Sequence, residues 1–424
     1  MLDKTQKDTD SMLEQARQIL ADNDRGGYTV PTHGLYPYQW NWDSVLAAWG
    51  FASYDLDRGW QEIETLFASQ WPTGMVPHII FHKPDPGYFP GPDVWGTQCA
   101  PQTTGITQPP IAATFVRKMF CADRSFGEPR ARALFEPLKN WHRWFMDYRS
   151  EGGRICITHP WESGRDNAID WDSAMARVDT SEVGEYTRRD TSHVNPEMRP
   201  KKEDYDRYIS LLYLGRDTGW DEAQIRAKSA FRVADIGMTF ILLRACQDLL
   251  WMATELGEDG QEIAGWITQL ERGVASMWNE DIQAYDSYDI HAQQFTGCLS
   301  NASYLCWYAG IENSVMLEHY QRISAELDYP VPSLDSNNPN YDPLRYWRGP
   351  TWPFFNSLIG IGLEDMGHKD EADNLRAATD KLLRTEGFYE YCHPGTGQGA
   401  GGEQFTWTAA IWLSWVNMES DKWA

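Results

Sequence analysis

Apolar residues recur three and four positions apart along most of this chain, near 4–22, 43–56, 58–69, 109–121, 126–149, 203–217, 222–255, 259–278, 299–309, 314–327, 351–366, 368–385 and 404–419. That period belongs to amphipathic helices, so an all-α fold is expected. Residues 230–245, AFRVADIGMTFILLRA, are apolar nearly all round, as a helix covered on both sides would be. A layer of inner helices is implied. Between the helical stretches lie long loops rich in Gly, Pro and aromatic residues, among them THGLYPYQWNW, ITHPWESGRDN and YEYCHPGTGQGAGGEQ. Loops of this length in a compact chain are functional or disordered, and their aromatic content argues against disorder. Paired helices with long loops at alternate junctions fit a toroid of inner and outer rings, with residues 1–424 as a single domain. The alternative, a helical solenoid, calls for a fixed sequence period, and none is visible.

The formal charge of −24 and the pI near 4.7 oppose affinity for nucleic acid or for anionic membranes. The first twenty residues have no apolar signal-peptide core, and no uninterrupted apolar run reaches the roughly 18 residues of a membrane span. A cytoplasmic protein is expected. Seven scattered cysteines, odd in number and without a CxxC, suggest reduced thiols. Cys392-His393 is the one hint of zinc, and His78 and His82 at i, i+4 spacing lack an acidic helper, so no metal or other cofactor is expected.

Two carboxylates attract attention. PWESGRDNAIDWD, 160–172, packs Glu162, Asp166, Asp170 and Asp172 into a segment with Trp161, Trp171 and Gly164, with Glu151 just outside. An Asp against aromatic walls loses solvation and can hold its proton as a general acid, although a solvated acidic loop reads equally well in isolation. In GGEQFTWTAAIWLSW, 401–415, Glu403 precedes an apolar helical run. A helix N-terminus favours its charge, as a general base requires and as any first-turn acid would also show. Gly401 and Gly402 leave room beside it for substrate or water. Opposed carboxylates of this kind hydrolyse glycosides. The 21 Trp and 20 Tyr fit sugar recognition, although Trp407 and Trp412 in the final helix are expected to pack in the core.

Taken together in this order, QWNWDS, TQPP, ESGRDN, YWRGPTWP, YEYCHPGTG and the FTWTAA helix resemble the catalytic domain of glycoside hydrolase family 63, akin to the family 37 trehalases, over residues 30 to 415. The resemblance implies an (α/α)6 barrel and an inverting mechanism, with Asp166 as acid and Glu403 as base. Tyr36, Trp40, Asp43, Tyr346, Trp347 and Trp352 would surround the sugar, with Gln108 beside them and Trp161 next to the acid. The compact size is similar to that of bacterial hydrolases of mannosylglycerate and glucosylglycerate, and 188–208 to the glucosylglycerate group. The implied substrate is a small anionic glycoside, 2-O-α-glucosylglycerate or mannosylglycerate. Tyr88 and Arg207 would meet its carboxylate; a salt bridge from Arg207 to Asp204 or Asp206 is the competing reading. Loops 82–105 and 174–204 would act as lids, and a homo-oligomer is compatible with the aromatic surface. Rival readings are a neutral di- or oligosaccharide as substrate, a non-catalytic sugar-binding toroid and a zinc-dependent cyclase.

Overall fold

The computed structural model describes residues 7–188, 195–417 and 420–423. It is mostly helical, as the periodicity implies. The long helices alternate in character. Asn41–Ala52 is buried at every position, and Ala112–Ala122, Ile236–Leu256, Pro353–Asp365 and Thr406–Ile411 are buried over most or all of theirs. Thr9–Asn23, Leu56–Phe67, Arg124–Trp144, Gln261–Ala275, Ser314–Glu326 and Lys369–Glu386 bury one stripe each, the mark of helices with one face to water.

Each buried helix packs against the buried helices beside it. Asn41–Ala52 touches Ala112–Ala122, which touches Ile236–Leu256; that helix meets the 3-10 turn Asn301–Cys306, then Pro353–Asp365, then Thr406–Ile411, which returns to Asn41–Ala52. Close approach between elements depends on small residues. A Cβ at Gly50 would sit 2.6 Å from that of Ala410, and one at Gly362 would sit 2.1 Å from the Tyr308 amide nitrogen. Ile236–Leu256 has the length and hydropathy of a membrane span, yet 78% of its apolar window is buried within the protein, so it reads as a core helix.

The chain departs from the expected helices where polar groups stop them. The segment 222–255 is not one helix but Glu222–Lys228 and Ile236–Leu256, separated by the strand Val233–Ala234. Asp235 ends the strand and caps the second helix by accepting from the Gly237 amide at 2.8 Å. Segment 299–309 contains a 3-10 turn, and the last helix begins at Thr406 because Gln404 holds a φ of +49°. His78-Ile-Ile-Phe-His82 is not helical: Ile79–Phe81 is a strand between Gln39–Trp40 and Gln102–Thr103. These short ladders, with a five-stranded one joining residues 150–157, 233–234, 288–289 and 294–295, are too brief to show alternation in sequence. All seven cysteines are free thiols.

Candidate active site

The loops before the buried helices gather at one end of the molecule, where the helices begin. Trp40, Trp352 and Phe405 are the capping residues of three of them. There they enclose a cavity of about 900 Å³, its mouth included, bordered by Tyr36, Trp40, Asp43, Tyr88, Gln108, Trp161, Asp166, Tyr346 and Trp347. These nine positions, far apart in sequence, are brought together as expected.

Asp166 reaches the cavity because its neighbours are anchored away from it. Arg165 is fully buried, donates to Asp170 at 3.1 Å, Asp235 at 3.3 Å and the Ser300 hydroxyl at 3.2 Å, and its carbonyl accepts from the Trp171 indole at 2.7 Å. Asn167 on the other side accepts from the Trp347 amide at 2.9 Å. The remaining acids of the segment are held in ion pairs: Glu162 with Arg149, Asp170 with Arg165, Asp172 with Arg348 and Glu151 with Arg232. Of these five carboxylates Asp166 alone borders the cavity. Gly164 makes room in the wall, since a Cβ there would lie 2.3 Å from the Trp42 ring.

Glu403 is placed differently from expectation. It lies outside the helix, exposed and off the cavity wall, and accepts from the Tyr389 hydroxyl at 3.3 Å. The carboxylate that borders the cavity is Glu390, 1% exposed. Gly401 and Gly402 belong to it: the Gly402 amide donates to its Oε2 at 2.9 Å, and a Cβ on Gly401 would sit 2.3 Å from that oxygen. Gly401 leaves space for the Glu390 side chain, and Gly402 for Thr32 and Phe405. On the other oxygen the Tyr36 hydroxyl donates at 3.0 Å, itself accepting from Arg199 at 3.0 Å. Glu390 precedes the two-residue strand Tyr391–Cys392, so no helical pattern points to it; its sequence signal is an acid between two tyrosines in YEYCHPGTG.

Arg207 is also displaced. It lines a neighbouring cavity, 3.6 Å from Asp204, while the buried cation of the main cavity is Arg199. Arg199 stacks over Tyr346 at 4.0 Å and approaches Glu390 Oε2 at 3.7 Å. Tyr346 carries a φ of +40°, a strained conformation for a non-glycine residue of the kind that collects at functional sites. Trp352 does not border the cavity. It lies behind Trp347, rings stacked at 3.7 Å and 5°, and its indole donates to the Tyr346 carbonyl at 3.1 Å. Trp412 is a core residue as expected, whereas Trp407 is buried yet borders the cavity. His78 and Tyr205 also line it, and neither carries a signal in the sequence for that place. The loop 82–105 supplies Tyr88, Phe89 and Trp95 to the wall, and Phe89 stacks on Tyr186 of the loop 174–204; within 188–208, residues 189–194 lie outside the described part.

Burial, followed by the charge of Glu390 and then that of Asp166, drives the Asp43 carboxyl well above the usual carboxylate range. Burial and the neighbouring His159 lower the basicity of His78 well below that of a free imidazole. Among the described residues no three His, Cys, Asp or Glu side chains converge as a metal site.

A cavity bordered by Asp43, Asp166 and Glu390 among aromatic side chains suits a carbohydrate-cleaving enzyme, and comparison with known proteins names the kind. Residues 36–408 match the mannosylglycerate hydrolase MGH1-like glycoside hydrolase domain. The chain is 44% identical over 413 residues to a mannosylglycerate hydrolase of Thermus thermophilus, covering 95% of this chain and 100% of that one. It is 32% identical over 441 residues to a glucosylglycerate hydrolase of Mycolicibacterium hassiacum, covering 96% and 97%. The crystal structure of a glycoside hydrolase family 63 mannosylglycerate hydrolase from Thermus thermophilus, in complex with Tris and D-glycerate, superposes with a TM-score of 0.93 at 44% identity, covering 96% of this chain and 100% of that one. The chain belongs to this MGH1-like group of family 63, as its motifs implied, and is a glycoside hydrolase.

Proposed function

We propose that the protein is an inverting α-glycosidase that hydrolyses a hexosyl glycerate, 2-O-α-mannosylglycerate or 2-O-α-glucosylglycerate, within a single (α/α)6 barrel domain. The closed succession of buried helices, each with a half-exposed helix against it, supports the barrel, and one contiguous apolar cluster that takes in nearly all the buried apolar residues supports the single domain. The observation that carries the reaction is the pairing of Asp166 and Glu390 on one cavity whose buried cation is Arg199.

In this reading Asp166 donates its proton to the glycosidic oxygen as the bond to the anomeric carbon breaks. Glu390, oriented by the Gly402 amide and the Tyr36 hydroxyl, removes a proton from the water that attacks the opposite face. An inverting pair leaves about 6.5–9.5 Å between carboxyls to seat that water. Glu403, exposed and bonded to Tyr389, gives up the role of base. Asp43, its carboxyl pushed toward the protonated form chiefly by burial, can donate to a sugar hydroxyl. Trp40, Trp161 and Trp347 offer faces to the ring, and Tyr88 from the loop above closes on the leaving group. The carboxylate partner is Arg199 rather than Arg207, because a guanidinium out of water binds a carboxylate far more strongly than an exposed one.

The test is a substrate panel: mannosylglycerate, glucosylglycerate, glucosylglycerol and trehalose, assayed with wild type and Arg199→Gln. Hydrolysis of the two glycerates, reduced at least about 100-fold by Arg199→Gln, is expected from the loss of a buried charge-assisted contact worth roughly 3 kcal/mol. Equal turnover of trehalose by both forms would favour the neutral-disaccharide reading instead.

A further inference from the structure

A second cavity, about 730 Å³ with its mouth, lies on the other side of Asp166. The two share a wall built from three short stretches that alternate faces. Arg199 and Pro200 border the first cavity and Lys201 the second; Tyr346 and Trp347 border the first, Arg345 and Arg348 the second; Tyr205 borders the first, Asp204, Arg207 and Tyr208 the second. Asp166 borders both, and its carbonyl accepts from the Tyr208 hydroxyl at 2.9 Å.

The charges on this wall do not cancel. Arg348 is held by Asp172 at 2.9 Å, and Arg207 lies 3.6 Å from Asp204. Among the described residues Arg345 pairs only with Glu197, 3.9 Å away and 87% exposed, where solvent screens the attraction. The Lys201 ammonium has no ion pair among the described residues, though its own amide donates to Asp204 at 3.2 Å. Lys201, Arg207, Arg345 and Arg348 thus border the cavity with Asp166, Asp172 and Asp204, four cations to three carboxylates, and Lys201 and Arg345 are the least compensated of them, in a chain whose formal charge is −24. A small anion meets repulsion over most of such a surface and collects where positive groups line a concave wall.

We propose that this second cavity is a binding site for a small oxyanion, a carboxylate or a phosphate, separate from Arg199 and set on the outer face of Asp166. Lys201 and Arg345 supply the charge, and the Tyr208 side of the wall closes it toward Asp166. Its use is to hold an acidic leaving group once that group has left Arg199 and the main cavity for solvent. That use rests on the hydrolytic reading above; the site itself does not.

Titration calorimetry with D-glycerate alone and with inorganic phosphate alone tests it on wild type, Arg199→Gln and the double variant Lys201→Gln/Arg345→Gln. Both changed residues of the double variant lie at the surface end of the wall, and a circular dichroism melt checks that the fold is kept. The expected result is a binding event retained by Arg199→Gln and weakened ten-fold or more by the double variant. Loss of the glycerate event assigns the site to the leaving group, and loss of the phosphate event alone assigns it to a free oxyanion from solution. Unchanged affinity for both anions in the double variant, or no binding beyond what Arg199→Gln removes, overturns the proposal. Titration needs no turnover, so failure to hydrolyse hexosyl glycerates would leave this result readable.

Discussion

At the scale of the residue, function depends on which acids the fold turns toward the cavity. The segment 151–172 offers five carboxylates; four are held by named arginines, and Asp166 is the one at the cavity. Glu390→Gln is expected to lower kcat by about 100- to 10,000-fold, the usual worth of a general base. Glu403→Gln is expected to stay within about three-fold of wild type, in line with small effects at exposed sites. Steady-state rates on one hexosyl glycerate compare the two, and a collapse of Glu403→Gln with an active Glu390→Gln would reverse the assignment. The flanking Trp residues made the acidic segment legible as partly buried, and the resemblance carried by ESGRDN singled out Asp166 within it. Glu390 was not legible, because what makes it special comes from far along the chain: Tyr36 and Arg199 reach it only in the folded state. For the same reason Arg207 could not be told from Arg199; both stand in polar surroundings of sequence, and only packing buries one of them.

At the scale of the element, the helices were readable and their ends were not. The 3.6-residue period locates a helix, but its start depends on a capping side chain or a strained residue. Asp235 divides 222–255, and Gln404 delays the last helix so that Glu403 falls in the loop before it. The ladders of two or three residues carry no period at all, which hid the strand between His78 and His82. The loop 399–402 shows how such an element serves the site. Gly401 combines a φ of +74° with a Cβ position 2.3 Å from the Glu390 carboxylate. Gly401→Ala therefore cannot be absorbed without moving one or the other. A left-handed Ala costs about 1–2 kcal/mol, so a modest fall in Tm is expected. Displacement of Glu390, the proposed base, is expected to lower kcat at least about ten-fold, equivalent to roughly 1.4 kcal/mol. A normal kcat alongside a lowered Tm would separate the loop from catalysis.

At the scale of the whole molecule, the enclosed core sets how the fold responds to acid. His142, on the helix Arg124–Trp144, and His159, ahead of Asp166, are each pushed down to about 3 by burial. His159 is neutral by construction: its Nδ1 accepts from the Trp161 amide at 3.1 Å while Nε2 faces the Tyr208 carbonyl at 3.0 Å. A histidine with a lowered folded pKa binds fewer protons folded than unfolded, so its contribution is complete above its unfolded pKa and declines as pH falls toward 3. Each such group loses about 1.4 kcal/mol of stability per pH unit below about 6.5. Asp286, raised to about 6 by burial, acts in the opposite sense, since its protonation on acidification restores stability. Chemical denaturation at pH 6.5 and 5.0 is expected to show a smaller acid loss in His142→Phe than in wild type, by about 2 kcal/mol. An identical loss would mean that His142 titrates normally. The central claim concerns the reaction itself, and proton NMR of wild-type enzyme with 2-O-α-mannosylglycerate or its glucosyl counterpart, recorded before mutarotation, tests it most directly. The expected spectrum shows β-hexose appearing first, in step with glycerate; α-hexose appearing first, or no release from either glycoside, would contradict it.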